Sequence, residues 1–238
     1  MLTKSQIKLI TRLKQKKYRQ QEGLFVAEGI KTIQELLQSS LELFQLFTTQ
    51  TFKIDAKKET IITEKELKTI SFLTSPNQAL AVFKIPMEKE IDTKALIVAL
   101  DAVRDPGNLG TIIRLCDWFG IKDLVCNLET VDCYNPKVIQ ATMGSITRVN
   151  VTYLDLQAFL KDTALVTFGA FMDGENVYTK QLPESGVLIL GNEANGISKV
   201  IEQQVKERIA VPRFGNLQAT ESLNVATATA ILLSEFRR

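Results

Sequence analysis

The side chains best suited to chemistry in this chain are asparagine, arginine and glutamate set beside clustered glycines, in three short segments. The first is Asp105-Pro106-Gly107-Asn108-Leu109-Gly110, with Arg114 four residues beyond Gly110. The second is Leu190-Gly191-Asn192-Glu193-Ala194-Asn195-Gly196. The third runs from Val211-Pro212-Arg213-Phe214-Gly215 to Glu221-Ser222-Leu223-Asn224-Val225-Ala226. Glycine lets backbone N–H groups approach a ligand, and a turn that opens a helix favours negative charge there. Glu193 offers a carboxylate, Arg114 a guanidinium, and Asn108 and Asn224 offer amides. Ser222, with Thr220 as rival, is suited to cap the last helix. Asn224 in a first helical turn is a mediocre helix former, so its side chain is suited to a specific contact. No segment is a Walker A loop or a G-x-G-x-x-G fingerprint. Each alone has an ordinary reading: a surface arginine on an amphipathic helix, or a strand-to-helix loop capped by Ser198. Each follows an apolar run, and together they describe one composite pocket at the strand ends of an open α/β sheet.

The elements that must position them are legible from periodicity. Ala95 to Leu100 reads as a strand, Leu109 to Phe119 as a helix closed by Gly120, and Asp123 to Cys126 as a short strand. Asn135 before Pro136 fits an N-cap with Pro at N1, opening a helix to about Met143. Arg148 to Tyr153, Ala164 to Phe171, Val187 to Leu190 and Arg208 to Val211 read as strands. Helices near Leu156 to Lys161 and Ser198 to Val205 separate them. A last helix runs from about Leu223 to Phe236, with Ala226, Ala228 and Ala230 allowing close packing. Strands alternating with helices predict a mostly parallel, doubly wound sheet. The preceding part reads as a small α/β unit. Ile7, Ile10 and Leu13 mark one helix, and Ile30, Ile33 and Leu37 a second. Leu41 to Phe47 and Ala79 to Ile85 read as strands, and Thr63-x-x-Glu66 as a capping box. The charged, weakly patterned stretch from Pro86 to Lys94 reads as a linker, giving domains at 1–85 and 95–238.

Composition narrows the chemistry. Among 238 residues there is no histidine, which removes Ser–His and Cys–His nucleophile systems and every His-ligated metal site. Cys116, Cys126 and Cys133 lack metal-ligand spacing and read as small apolar packing residues. A metal is not expected, with carboxylate-bound magnesium the one formal exception. No segment has the form of a signal peptide and no apolar run approaches ~20 residues, so the expected location is cytoplasmic and off the membrane. The net charge is +2, yet Lys4, Lys8, Arg12, Lys14, Lys16, Lys17 and Arg19 precede the first acid, Glu22. That stripe can neutralise phosphates, or serve as a solvated helix face.

In order and spacing, the three segments resemble the motifs of the SpoU/TrmH family of RNA ribose 2′-O-methyltransferases, in the SPOUT superfamily. The first motif's Asn, Gly, Arg and Phe-Gly are matched by Asn108, Gly110, Arg114 and Phe119-Gly120. The Gly-x-Glu-x-x-Gly of the second is matched by Gly191, Glu193 and Gly196. The third is matched by Pro212, Gly215 and Ser222 to Val225, with Ala226 one place early and Ala228 at the usual position. The loop between Gly215 and Ser222 is slightly longer than in better-known members. Phe25-Val26-Ala27-Glu28-Gly29 resembles the start of the family's substrate-binding domain, which has the ribosomal protein L30e fold. The resemblance implies a C-terminal SPOUT domain with a parallel sheet and a deep trefoil knot, and an N-terminal L30e-like α/β domain that binds RNA. The knot comes from the resemblance alone. It also implies S-adenosylmethionine as cofactor, structured RNA (ribosomal or transfer) as substrate, and a homodimer through the last helix. Leu190, Gly191, Gly196, Ile209, Val211 and Leu223 would hold the cofactor. Arg114, Asn108, Glu193, Ser222 and Asn224 would serve the acceptor side. The family's proposals make the arginine a base, but a guanidinium ordinarily stays charged. A phosphate-binding or electrostatic role, assisted by phosphate or Glu193, stands beside that one. The alternatives are a non-catalytic RNA-binding protein of the same fold and a dinucleotide enzyme, the latter disfavoured by the missing glycine fingerprint.

Overall fold

The computed structural model describes residues 1–214 and 222–238. Gly215, Thr220 and the rest of the loop that leads to Ser222 lie outside the described residues. In chain order the elements begin with α1 (Lys4–Arg12), α2 (Lys16–Glu22), β1 (Leu24–Glu28), α3 (Ile30–Leu37), β2 (Leu43–Thr48), β3 (Glu59–Ile61), α4 (Glu64–Ile70) and β4 (Ala79–Lys84). Then follow β5 (Leu96–Leu100), α5 (Pro106–Trp118), β6 (Asp123–Cys126), α6 (Pro136–Thr142) and β7 (Asn150–Tyr153). The last are α7 (Leu156–Asp162), β8 (Thr167–Asn176), β9 (Gly186–Leu190), α8 (Lys199–Glu202), β10 (Glu207–Ala210) and α9 (Val225–Phe236). They group into two compact units. One comprises Met1–Met87 with Asp132–Thr147, the other Glu88–Val131 with Arg148–Arg238.

The first unit is built on a four-stranded sheet ordered β1-β4-β2-β3. Strand β4 is antiparallel to both β1 and β2, and β3 runs parallel to β2. Alternate residues of β1 serve two layers. Leu24 and Val26 join Ile10, Leu13, Leu67 and Ile70 of the helical side in one core cluster. Phe25 points the other way and packs on Phe83 and on Tyr134, whose ring centroid is 4.9 Å away. The expected capping box at Thr63 and Glu66 holds, and α1 opens on a second one that its apolar spacing did not announce. Thr3 and Gln6 cap α1 reciprocally, and Thr63 and Glu66 cap α4 in the same way. These bonds hold the Glu66 carboxyl below its ordinary range, the Thr63 backbone N–H contributing most.

The helix marked by Ile7, Ile10 and Leu13 is α1, and a second helix, α2, restarts at Lys16 after the chain turns. Two further points depart from the sequence pattern. Strand β1 is missed by alternation because all five of its residues are buried. Arg19, counted in the basic stripe, is only 2% exposed. Its guanidinium pairs with Asp132 and donates to the carbonyls of Leu13, at 2.8 Å, and Lys14, at 2.9 Å. It is a structural group that closes the α1–α2 turn, while Lys4, Lys8, Arg12, Lys14 and Lys17 stay exposed.

The second unit holds a six-stranded sheet ordered β10-β8-β9-β5-β6-β7, with every pairing parallel. This is the expected α/β architecture. Ile97, Ala99, Val187 and Ile189 meet Leu156 and Leu160 of α7 and Ile201 of α8 on one face. The alternate residues Leu96, Val98 and Leu100 are buried on the other. Such burial on both faces explains continuous apolar runs instead of alternation. Strand β5 lies beside β9 with Leu100 opposite Leu190. The turns that leave these two strands therefore start side by side at one end of the sheet. Helix α9 packs against α5, and Phe236 meets Phe168 edge-on at 5.3 Å.

Candidate active site at the strand ends

Helix α5 opens with Asp105 as N-cap, its carboxylate accepting from the Asn108 backbone N–H at 2.8 Å, and with Pro106 in the first turn. That start fixes the orientation of Asn108. Its amide nitrogen donates to Glu193 Oε1 at 2.6 Å, and its amide oxygen accepts from Asn224 Nδ2 at 2.9 Å. Asn224 Oδ1 in turn accepts from the backbone N–H groups of Ala226 and Thr227. One directed chain thus runs from the N-terminus of α9 through two amides to an exposed carboxylate, joining all three glycine and amide-rich segments. Each amide is held at both ends, so neither is free to flip.

The turn after β9 is closed on itself. Asn192 and Gly196 exchange backbone hydrogen bonds at 2.9 and 2.8 Å, and Asn192 Oδ1 accepts from the Ala194 and Asn195 N–H groups. Gly196 takes a positive φ of 66°. A Cβ at Gly191 would collide with the Gly196 carbonyl carbon and the Ile197 nitrogen. Glycine at 191 is therefore required by how tightly the turn folds back. Leu190 and Ile209 are buried, Gly191 and Val211 half-buried, and Gly196 and Leu223 exposed.

The remaining expected residues fall as follows. Arg114 is exposed on α5, and among the described residues it has no hydrogen-bond or ion-pair partner, while Gly110 one turn earlier is buried. Ser222 does not cap the last helix. That helix starts at Val225, and Asn224 is its N-cap. The physical reason is that asparagine is as good a cap as serine, and its longer amide can serve the helix with the oxygen and Asn108 with the nitrogen. Ser222 is exposed and makes no hydrogen bond among the described residues. Ser198 holds the N-cap position of α8 without a side-chain bond, and α8 is only one turn long. The apolar face of α9 is used inside the chain, since Val225, Ala226, Leu232, Leu233 and Phe236 are all buried there.

Three polar residues of this sheet end escape the motif reading. Asp101, Asn127 and Asn192 each follow the apolar run of a strand. Asp101 is buried, at 3% exposure, and Asn127 and Asn192 bond to the backbone of residue 102. The signal available was positional: a carboxylate or amide directly behind the apolar runs of β5 and β6, and one glycine beyond that of β9.

Residues 95–234, more than half of the chain, match the model of the SpoU rRNA methylase family. The chain belongs to that family. Residues 4–81 match the MRM3-like substrate binding domain. A 23S rRNA (guanosine(2553)-2′-O)-methyltransferase from Bacillus subtilis is 30% identical over 236 residues, covering 95% of this chain and 93% of the relative. Two solved structures superpose along the whole chain. A TrmH-family protein from Porphyromonas gingivalis has a TM-score of 0.89 at 37% identity, with 100% of this chain and 98% of that one covered. An AdoMet-bound rRNA methyltransferase from Sinorhizobium meliloti has a TM-score of 0.88 at 29% identity, covering 100% and 95%. Among the described residues there is no cluster of acidic or cysteine side chains that could hold a metal, and no helix is long and apolar enough to cross a membrane.

Proposed function

We propose that this SpoU protein transfers a methyl group from S-adenosylmethionine to a ribose 2′-hydroxyl of structured RNA, with ribosomal RNA as the substrate. The observation that carries the reading is the Asn224–Asn108–Glu193 chain, which links three segments far apart in sequence and ends on an exposed carboxylate. The choice of ribosomal RNA rests on the Bacillus subtilis relative.

The residues present fit the cofactor. Among the described residues, the main-chain donors and acceptors of Gly191, Val211 and Leu223 have no hydrogen-bond partner. Backbone groups left open in this way can read an adenine edge and a ribose. Bound there, S-adenosylmethionine supplies a methyl group on a positively charged sulfur. The chain's own residues then position and polarise the acceptor. Glu193, its Oε1 held by Asn108, presents its carboxylate to accept a hydrogen bond or a proton from the 2′-hydroxyl. Arg114 holds an RNA phosphate, which suits an exposed guanidinium with no counter-ion among the described residues. Holding the hydroxyl in line supplies much of the rate in such a transfer.

The exposed cations of α1 and the following turn engage RNA, with the first 85 residues as the substrate-binding domain and 95–238 as the catalytic one. Segment 132–147 packs on Arg19 and Phe25, so deleting the first domain would strip that segment of its partners. Substitution of Lys4, Lys8 and Arg12 is the cleaner probe, and should flatten the salt dependence of RNA binding. The family's trefoil knot, a homodimer and a cytoplasmic location belong to the same reading. With the apolar face of α9 already covered, a dimer would use its outer face and neighbouring exposed groups such as Trp118. Mapping of 2′-O-methyl sites in RNA from cells with and without the protein tests the proposal. One ribosomal site should vanish. An unchanged map would overturn the reading, and a lost site in transfer RNA would move the substrate.

A further inference from the structure

The Gly191–Gly196 turn is held from below by a buried carboxylate that no motif includes. Asp101, the residue after β5, has both oxygens occupied. Oδ1 accepts from Asn127 Nδ2 at 2.8 Å, and Oδ2 accepts from the backbone N–H of Ser198 at 2.7 Å. Asn127 completes a closed arrangement, since its Oδ1 accepts from the backbone N–H of Ala102 at 2.9 Å and from Thr130. Asn192 Nδ2 donates to the Ala102 carbonyl at 2.7 Å. Ala102 itself is held at φ 58°, a conformation that alanine rarely adopts. Three loops, those after β5, β6 and β9, therefore meet on residues 101 and 102. Among the described residues, no cation pairs with Asp101.

A buried anion held only by neutral donors is costly unless each donor is well placed. Its position repays that cost, because the two donors it gathers belong to different loops, and one of them, Ser198, lies two residues past the Gly191–Gly196 turn at the start of α8. A carboxylate is also the group of this size that accepts from two converging donors at once. An asparagine at 101 would accept from one donor and turn its own NH2 toward the other.

We propose that Asp101, acting with Asn127, is the positioning residue that presets the Gly191–Gly196 turn for the cofactor. The inference rests on the reading of that turn as the S-adenosylmethionine site, and its test has an arm that needs no ligand.

The experiment uses the full chain and three variants: Asp101→Asn, Asn127→Asp and the exchange Asp101→Asn/Asn127→Asp. In the exchange every bond can be remade. The amide then at position 101 donates to the carboxylate at position 127 and still accepts from the Ser198 backbone N–H. Hydrogen–deuterium exchange of residues 191–198 is read without ligand, and S-adenosylmethionine affinity by calorimetry. Asp101→Asn should speed exchange in 191–198 and raise both Kd and KM by about tenfold to a hundredfold, the effect of one unmet buried donor. The kcat at saturation should change by less than about threefold, since the lost interaction acts on binding and not on the transition state. The exchange variant should restore exchange rates and affinity together. Unchanged protection in Asp101→Asn, or an exchange variant no better than either single one, overturns the proposal. Equal loss of kcat and kcat/KM overturns it as well. Should Asp101→Asn fail to fold, the exchange variant decides: native protection and affinity support the proposal, and a second failure to fold overturns it. A wild-type protein that binds no S-adenosylmethionine would instead sink the cofactor reading, and the exchange arm would still decide whether Asp101 pins the turn.

Discussion

Each unit buries a carboxylate, and the two are used differently. In the first, Glu28 at the end of β1 is 6% exposed and accepts from Ser71 Oγ and from the Phe72 backbone N–H at 2.8 Å. It ties a strand end to the segment after α4. In the second, Asp101 at the end of β5 ties together loops that carry the candidate site. The same physics, a buried acceptor satisfied by two donors, serves stability in one place and site geometry in the other. The Arg19–Asp132 pair belongs with Glu28, and the Asn108–Glu193 bond belongs with Asp101.

If that division is right, substitutions in the second unit's polar groups change turnover or cofactor affinity more than stability, and those in the first do the reverse. The largest effect is expected at Arg114. Arg114→Ala should lower methyl transfer by about a thousandfold, the loss of the charge that holds the RNA phosphate in place, with cofactor affinity and Tm nearly unchanged. Near-normal single-turnover rates would remove Arg114 from the mechanism. Next comes Asp132→Ala, which leaves the buried Arg19 unpaired. Chemical denaturation should show about 3 kcal/mol lost, while folded protein keeps its kcat. A stability change below about 1 kcal/mol would mean that the pair behaves like a surface bridge. Asn108→Ala should cost between about tenfold and a hundredfold in kcat by freeing Glu193 and Asn224, and its Tm should stay close to wild type. A large fall in Tm instead would place Asn108 with the structural groups.

The smallest effect is at Glu28. Burial pushes its carboxyl above the ordinary value of 4.5, with the Ser71 and Phe72 bonds opposing. The folded chain therefore binds this proton more readily than the unfolded chain. Its contribution to stability is full below pH 4.5 and declines as pH rises from there through the raised folded value. Glu28→Gln keeps both bonds in reach and should flatten that part of the stability–pH curve. A curve identical to wild type would show that Glu28 is already ionised in the fold at no cost.

Much of the site is legible in the sequence alone. Gly191, Glu193, Asn108 and Asn224 stand out because glycines and amides sit behind apolar runs. The strand at β1 does not, because it is buried on both faces and leaves no alternation. Arg19 is indistinguishable from Arg12 and Lys8 by type and spacing, and only the turn after Leu13 carries it inward. The last helix begins two residues later than its pattern suggests, because Asn224 outcompetes Ser222 as cap once its other end is held by Asn108.

By itself the sequence determined the alternation of strands and helices, the Thr63–Glu66 capping box, the Asn135–Pro136 helix start, and the turns where ligand-facing backbone could occur. These are local properties, set by the periodicity of apolar residues and by short side chains bonding to nearby backbone. Only the tertiary structure decided that Asn108 meets Glu193 across 85 residues of chain and Asn224 across 116. It also decided that Asp101 meets Ser198 across 97. The reason is that periodicity encodes which face of an element is buried but not which strand lies beside which. The adjacency of β5 and β9 is a property of the assembled sheet, and it brings these distant amides and carboxylates within hydrogen-bond reach.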